Sequence, residues 1–272
     1  MADAPWIIDT WVNLLRPVTG HERTAGENVF GLYGAADWLR EGMKPETLLA
    51  EMDAAGVAMG GLTSTDLEWV AETVARHPGR FFGIVSPDPT DTMACLRTID
   101  RAVRDHGFKA VKIEPFLWRK PPTDRMYYPI YMKCVELDVT FTTQIGHTGP
   151  LYPSEVGRPI YLDQVALDFP ELRIVGGHIG WPWQDEAIAV AWKHRNVWID
   201  TSAHVPKHFP PTFTHFMKTF GQEKCLFASD WPLLPVGRPL DELDRYCELP
   251  DGVRRKFLRE NAVRAFKLDV PT

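Results

Sequence analysis

The chain has 272 residues, of which 44% are hydrophobic and 24% are charged, a mixture typical of a folded globular protein and not of a disordered or collagen-like chain. No apolar run approaches the roughly 20 residues that span a bilayer. The net charge of −6, without a Lys/Arg cluster, argues against a nucleic-acid partner. The start, MADAPWIID, lacks the pattern of a secretory signal, and Cys95, Cys134, Cys225 and Cys247 lie far apart. We therefore expect reduced thiols and a cytoplasmic location, with no membrane and no nucleic acid as partner.

Eight short apolar runs recur along the chain, and they are continuous rather than alternating, as in parallel strands buried on both faces. The runs are Trp6–Asp9, Val57–Thr63, Phe81–Val85, Ala110–Ile113, Val139–Thr143, Ile174–Gly177, Val197–Asp200 and Cys225–Ala228. Amphipathic stretches lie between them, at Pro45–Ala55, Asp66–Arg76, Thr92–His106, Tyr128–Glu136, Leu162–Asp168, Glu186–His194 and Pro211–Thr219. This alternation predicts an α/β protein, a single (β/α)₈ TIM-type barrel over residues 1–272. The alternative, an open doubly wound sheet, would need a glycine-rich phosphate turn after the first strand, and none is present.

Two segments stand outside this repeat. Residues 14–44, between the first strand and its helix, are too long for an ordinary loop. The length of this segment predicts an inserted arm that serves either as a lid or in dimer contacts. In the second role, the protein would be a homodimer. Residues 239–268 predict two or three short helices that complete the outer layer of the barrel.

Polar and titratable side chains follow most of the predicted strands. In a barrel of this kind the active site lies at the carboxyl ends of the strands, where these side chains would meet. They include Asp9, Asn13, Lys112, Glu114, Gln144, His147, His178, Asp200, His204 and Asp230. This convergence exceeds what stability requires and indicates a site for a small-molecule substrate.

The motifs at these strand ends carry a resemblance to a known family. GHIGWPW, IDTSAH and FASDWP, with an opening IIDT and a GHTGP after the fifth strand, resemble the amidohydrolase-related superfamily. The nearest branch contains aminocarboxymuconate-semialdehyde decarboxylase and related lactonases and decarboxylases. The resemblance implies a metal-dependent-hydrolase-like barrel in which an HxH pair on strand one, a histidine on strand five and an aspartate on strand eight hold a divalent metal. It also implies that a strand-six histidine acts as acid or base.

This chain departs from the family pattern at the metal ligands. Trp11 and Asn13 stand at the HxH positions, and Gln144 stands at the strand-five position. The strand-eight aspartate matches Asp230 and the strand-six histidine matches His178. Because an indole has no lone pair for a metal and amides are weak zinc ligands, the resemblance implies a degenerate metal site.

Two interpretations of the metal follow. In the first, the protein has no cofactor, and His178 and Asp230 act as an acid–base pair. In the second, a single Zn or Mn ion has moved and is held by Asp230, His178 and His147, with Glu114 as a further ligand. The second interpretation needs three to four ligands within roughly 2.0–2.2 Å of one point.

The remaining candidates concern substrate binding. Arg158 and Arg238 each stand in a Gly-Arg-Pro triplet, and a guanidinium can bind a carboxylate with two parallel hydrogen bonds. Lys112 and Glu114, one residue apart on a strand, face the same side and predict either an internal ion pair or a substrate contact. Five tryptophans near strand ends suggest a pocket for a flat apolar substrate: Trp11, Trp118, Trp181, Trp183 and Trp231. The full set of predicted substrate-binding residues is Trp11, Asn13, Gln144, His147, Arg158, Trp181, His204 and Arg238.

Three functions remain open from the sequence. In the first, a hydrolase of a cyclic or aromatic carboxylate or lactone, His178 assisted by Asp230 activates water while Asn13 and Gln144 hold the oxyanion. In the second, a non-oxidative decarboxylase of an aromatic or muconate-like acid, His178 protonates the carbanion and a loop arginine orients the carboxylate. The third is a non-catalytic binding protein on a disabled enzyme scaffold. We take hydrolysis as the leading expectation.

Overall fold

The computed structural model describes residues 6–270, except for the side chains of residues 21–23. Eight strands form one parallel sheet whose spatial order equals their order in the chain. The strands are β1 (Ile7–Asn13), β2 (Val57–Ser64), β3 (Phe81–Val85), β4 (Ala110–Ile113), β5 (Thr140–Gln144), β6 (Ile174–Gly177), β7 (Val197–Asp200) and β8 (Cys225–Leu226). The predicted TIM-type barrel is confirmed, and the doubly wound sheet, which requires a different strand order, is excluded. Residues 1–5 and 271–272 of the predicted domain lie outside the described residues.

The barrel closes between β8 and β1 through residues that follow the short β8. The amide of Thr10 donates to the carbonyl of Phe227 at 3.0 Å, and that of Asn13 donates to Trp231 at 2.9 Å. β1 is longer than the apolar run that predicted it, because its pairing with β2 continues as far as Asn13. The side chains of Trp11 and Asn13 are therefore held by a strand and not by a mobile loop.

Helices lie between the strands along the chain, and most of them cover the outside of the barrel. They are α1 (Gly20–Leu32), α2 (Ala36–Glu41), α3 (Pro45–Ala55), α4 (Leu67–Arg76), α5 (Thr92–Arg104), α6 (Pro115–Trp118), α7 (Tyr128–Glu136), α8 (Tyr161–Asp168), α9 (Gln184–Lys193), α10 (Pro211–Lys218), α11 (Gly237–Tyr246), α12 (Asp251–Arg255) and α13 (Asn261–Phe266). Asp66 and Asp91 begin α4 and α5 as N-caps, because their carboxylates accept backbone amides three residues on. In the described part of the chain, every helix is too short or too polar to cross a membrane.

The end of the C-terminal segment packs differently from the rest: Leu240 and Leu243 of α11 lie in the outer core, whereas α13 does not. A π-helical turn, Lys256–Glu260, joins α12 to α13. Ala262, Ala265 and Phe266 of α13 share an apolar cluster with residues of β1, β3 and β6, such as Ile8 and Val175. The end of the chain therefore packs against the inner apolar residues of the barrel and does not simply complete the outer layer.

The predicted arm, residues 14–44, consists mainly of α1 and α2. The amide of Leu151, in the loop after β5, donates to the carbonyl of Ala25 at 2.9 Å. A Cβ at Gly149 of the same loop would come within 2.7 Å of the Val29 side chain, so the loop and α1 are in close contact. This contact places α1 over the carboxyl ends of the strands. The dimer role of the arm and the cytoplasmic location stay predictions.

Candidate active site

A cavity of about 640 Å³ opens at the carboxyl ends of the strands, where a TIM-type barrel carries its active site. Its lining includes all the predicted site residues except Arg158, namely Trp11, Asn13, Gln144, His147, His178, Trp181, His204, Asp230 and Arg238. Lys112 and Glu114 line it as well. We call the group of Trp11, Asn13, Lys112, His178 and Asp230 the floor of this cavity.

Lys112 places a buried ammonium group at the floor. Side chains alternate along β4, so Lys112 faces the same side as Ala110, which belongs to the inner apolar cluster. Val111 and Ile113 point the other way and pack in the outer core. The Lys112 side chain is 5% exposed, and its Nζ lies 2.8 Å from Oε1 of Glu114. The internal ion pair predicted from the sequence is present, and it lines the cavity.

Asn13 connects this ammonium to Asp230. Its Nδ2 donates to Oδ1 of Asp230 and to the carbonyl of Trp231, both at 2.9 Å. Its Oδ1 accepts from Nζ of Lys112 at 3.2 Å. Because a carbonyl oxygen can only accept and an ammonium can only donate, these partners fix the orientation of the amide. Lysine, asparagine and aspartate from three different strand ends thus form one hydrogen-bonded chain.

His178 is oriented by Ser202 rather than by Asp230. Its Nδ1 lies 2.6 Å from Oγ of Ser202 and 3.2 Å from the carbonyl oxygen of Ser202. The hydroxyl and the backbone amide of Ser202 both donate to Oδ1 of Asp200. Because a carbonyl oxygen accepts, Nδ1 of His178 carries the proton and Nε2 is the unprotonated nitrogen. Among residues 6–270, Nε2 has no hydrogen-bond partner.

His178 and Asp230 both adopt strained backbone conformations. Their φ angles are +73° and +66°, in the left-handed region that residues other than glycine rarely adopt. Each residue follows a strand directly or closely, where the chain turns away from the barrel. Strain of this kind is concentrated at functional sites, where it aims a side chain that an unstrained turn would not.

Burial sets the protonation states of the floor. It raises the pKa of Asp230 from 3.8 to about 7, and the hydrogen bond from Asn13 and the charge of Lys112 oppose this rise without cancelling it. Burial, with smaller effects from His204 and Lys112, lowers the pKa of His178 to about 3. Near neutral pH the aspartic acid is therefore partly protonated, whereas the imidazole is neutral.

The two amide side chains expected to hold an oxyanion already donate to protein atoms. Both N–H groups of Asn13 are used by Asp230 and Trp231. Nε2 of Gln144 donates to the carbonyls of Gly146 and His147, at 2.9 and 3.1 Å. Oε1 of Gln144 is buried and has no partner in the described part of the chain. Gln144 is thus placed to accept a hydrogen bond from a ligand, not to donate one.

The other candidates lie nearer the mouth or outside the cavity. Nδ1 of His204 contacts the carbonyl of Ser202 at 3.0 Å, and burial lowers the pKa of both His204 and His147. Arg238 is half-exposed, and its Nε lies 3.4 Å from Oε1 of its helix neighbour Glu242. Arg158 is paired with Glu186 on α9 and is not among the lining residues. Sequence reasoning could not choose between the two arginines, because their Gly-Arg-Pro contexts are identical.

The walls of the cavity are aromatic, but they are built differently from the expected ring of indoles. Trp11 and Trp181 line the cavity, together with Val29, Phe30 and Tyr33 of the arm. The arm therefore supplies part of the apolar wall.

Three tryptophans predicted at the rim pack elsewhere. Trp118 contacts the outer apolar core. Trp183 lies beside Arg158, with the guanidinium 5.7 Å from the ring centroid. Trp231 is buried, and its Nε1 donates to Oε1 of Glu51 at 3.0 Å. The NVFGLY sequence inside the arm, which is rich in apolar residues, could have indicated the wall residues that take the place of these tryptophans.

The floor does not fit a divalent metal ion by the chemistry of its donors. Within residues 6–270, no three imidazole, thiol or carboxylate side chains are grouped so that they could hold one. The face of the Trp11 indole, which offers no lone pair, lies against the Lys112 ammonium with Nζ 4.3 Å from the ring centroid. The alternative set of Asp230, His178 and His147 therefore does not form a metal-binding group in this structure.

Sequence reasoning missed Ser202 and Asp200 as the groups that orient His178. A serine two residues after a strand is too common to be a signal. Both residues were visible in the IDTSAH motif, but their contact with β6 depends on how neighbouring strands are aligned.

Comparisons with known proteins agree with the fold and the family resemblance. The family model described as "Amidohydrolase" matches residues 8–268. A γ-resorcylate decarboxylase from Polaromonas sp. is 24% identical, with 74% of this chain and 75% of that protein covered. A TIM-barrel protein from Bordetella bronchiseptica has a TM-score of 0.79 at 22% identity, covering 96% of this chain and 98% of the other.

A second similar structure bears on the cofactor. It is a 5-carboxyvanillate decarboxylase from Novosphingobium aromaticivorans, complexed with manganese and 4-hydroxy-3-methoxy-5-nitrobenzoic acid. Its TM-score is 0.76 at 19% identity, covering 97% of this chain and 96% of the other. Several structural neighbours bind manganese, which does not support the expectation of no cofactor, whereas a single divalent metal is consistent with them. The relatives with a named activity are mostly aromatic-acid decarboxylases, so they agree better with the alternative function than with hydrolysis.

Proposed function

The chain belongs to the amidohydrolase family, and from this premise we propose that it catalyses the non-oxidative decarboxylation of a small aromatic carboxylic acid. The observation that carries the proposal is the half-buried carboxyl of Asp230, which lines the cavity and is held there by Asn13; desolvation raises the pKa of this carboxyl to about 7. Decarboxylation of an arene requires a proton donor beside the ring carbon that loses CO₂. The aromatic walls of the cavity suit a flat substrate that carries polar groups toward the floor.

In the proposed reaction, Asp230 is the proton donor. Its carboxyl group protonates the ring carbon that bears the carboxylate; the bond from that carbon to the carboxylate then breaks, and its electron pair restores the aromatic ring. CO₂ leaves, and Asp230 regains a proton from solvent, so one carboxylate and one proton yield one arene and one CO₂. His178 was the proton donor in our sequence-based alternative, but a neutral imidazole with Nδ1–H directed at Ser202 has no proton on Nε2 to give. We assign His178 the role of accepting a hydrogen bond from a substrate hydroxyl.

Hydrolysis is less well supported by the same contacts. An ester or lactone needs hydrogen-bond donors for the oxyanion that forms during attack by water. The predicted donors, Asn13 and Gln144, have their N–H groups engaged by Asp230, Trp231 and backbone carbonyls. The arm, which supplies Phe30 and Tyr33 to the wall, is proposed as a lid that keeps water away from the ring.

The test is turnover of a panel of hydroxybenzoic acids, including 2,6-dihydroxybenzoate, followed by NMR in D₂O. We expect CO₂ release and one deuterium at the ring carbon that carried the carboxylate, and loss of both in the Asp230→Asn variant. Hydrolysis of lactones without any release of CO₂ would contradict the proposal. A protein that binds these acids but turns over neither class would instead be the binding protein considered from the sequence.

A further inference from the structure

The ammonium of Lys112 lies among the residues that stand at the family's metal-ligand positions. Nζ is 4.3 Å from the ring centroid of Trp11 and 3.2 Å from Oδ1 of Asn13, the two β1 positions. Asn13 in turn donates to Asp230, the residue at the β8 position. Three of the four positions thus form the surroundings of a lysine side chain.

Each of these residues suits an ammonium better than a metal ion. The face of an indole attracts a cation through its quadrupole, although it cannot coordinate a metal. The amide of Asn13 turns its oxygen to Lys112 and its nitrogen to Asp230, so an N–H group occupies Oδ1, one of the two carboxylate oxygens that a metal could use. A divalent ion here would also lie beside a buried positive charge, where little solvent screens the repulsion.

A glycine on β6, across the barrel, makes room for this arrangement. A Cβ at Gly177 on β6 would come within 2.7 Å of the Trp11 ring, so the absence of a side chain there lets the indole lie across the floor. Glu114, 19% exposed, balances the lysine charge and lies toward the open part of the cavity. A substrate carboxylate can therefore compete with Glu114 for the same ammonium.

We propose that the ammonium of Lys112 is the fixed cation of this site, in place of the divalent metal of the similar decarboxylases, and that it binds the carboxylate of the substrate. The identity of that anion rests on the proposed function, whereas the metal content does not. Because Lys112 and Glu114 are already paired, the substrate carboxylate binds by displacing Glu114 from the ammonium, and the displaced Glu114 carboxylate, 19% exposed, is then solvated by water.

Metal content is the first test. The full chain is dialysed against MnCl₂, passed through a desalting column and analysed for manganese, with its melting temperature measured with and without EDTA. We expect substoichiometric manganese and the same melting temperature in both buffers. One tightly held manganese per chain, with a lower melting temperature in EDTA, would overturn the proposal.

The second test measures binding of 2,6-dihydroxybenzoate in EDTA by titration calorimetry. Lys112→Met is expected to weaken binding about tenfold or more, because the charge-assisted contact is lost. Glu114→Gln is expected to strengthen binding, because it removes the competing carboxylate. A purely structural role for the pair would weaken binding in both variants, and that result would overturn the proposal. If Lys112→Met does not fold, Lys112→Met/Glu114→Gln, which removes both charges, replaces it with the same expectation.

Lys193→Met is the matched control, because Lys193 also forms an ion pair but lies on the surface with Asp163. It is expected to bind like the unmodified chain. These measurements separate the two proposals. If the chain binds the acid through Lys112 without manganese but releases no CO₂, the proposed function is wrong and the lysine proposal stands. If CO₂ release depends on manganese, the lysine proposal is wrong and the proposed function stands.

Discussion

The raised pKa that the proposed chemistry requires of Asp230 also lowers the free energy of unfolding near neutral pH. Its pKa rises from 3.8 to about 7 on folding, so between these pH values the folded protein holds a proton that the unfolded chain has released. Stability therefore falls as pH rises through this window and levels off above about pH 7. At about 1.4 kcal/mol for each tenfold change in acidity, the whole rise corresponds to roughly 4 kcal/mol.

The perturbation is Asp230→Asn, which removes the ionisation and keeps an oxygen that can accept from Asn13. Relative to the unmodified protein, the free energy of unfolding of this variant should increase by roughly 2–3 kcal/mol between pH 5 and pH 8. Decarboxylation should be lost at every pH. The assay is urea denaturation followed by tryptophan fluorescence at several pH values, beside turnover measurements.

Asp9→Asn is the matched control. Burial also raises the pKa of Asp9 to about 7, but Asp9 does not line the cavity in the described structure. This variant should flatten the pH dependence of stability in the same way while retaining turnover. If the unmodified protein and Asp230→Asn lose stability in parallel between pH 5 and pH 8, the raised pKa of Asp230 is wrong, and its role as proton donor at neutral pH fails with it.

Three further predictions follow from the walls and the orienting contacts. Ser202→Ala should lower kcat about tenfold and stability by about 1–3 kcal/mol, and NMR should find the Nδ1–H tautomer of His178 no longer dominant. Arg238→Met should raise KM about fivefold for an aromatic acid, because its guanidinium lines the cavity and attracts the anion that Lys112 binds, whereas Arg158→Met should leave KM unchanged; equal effects of the two variants would show that Arg238 does not contribute to substrate binding. Tyr33→Ala should raise KM and change the free energy of unfolding by less than about 0.5 kcal/mol, since the side chain is 43% exposed; an unchanged KM would argue against a lid.

The order of the strands and the face that carries the site were determined by the sequence alone. A run such as Phe81–Val85 is apolar on both faces, and a strand of that kind is stable only inside a parallel sheet covered by helices. Once eight such runs alternate with amphipathic helices, the barrel places residues like Asn13 and His178 at one mouth. These inferences require local patterns and connectivity, which a linear sequence contains.

The partners of those residues were decided by the tertiary structure. His178 is hydrogen-bonded to Ser202 and not to Asp230. The amide of Asn13 is hydrogen-bonded to Lys112 and Asp230 and is not free to hold an oxyanion. Such pairings depend on how far adjacent strands are offset and on which way each side chain leaves its strand, because a hydrogen bond tolerates only a few tenths of an ångström. Contacts across the barrel join residues about 100 or more positions apart in the chain, so no local pattern encodes them.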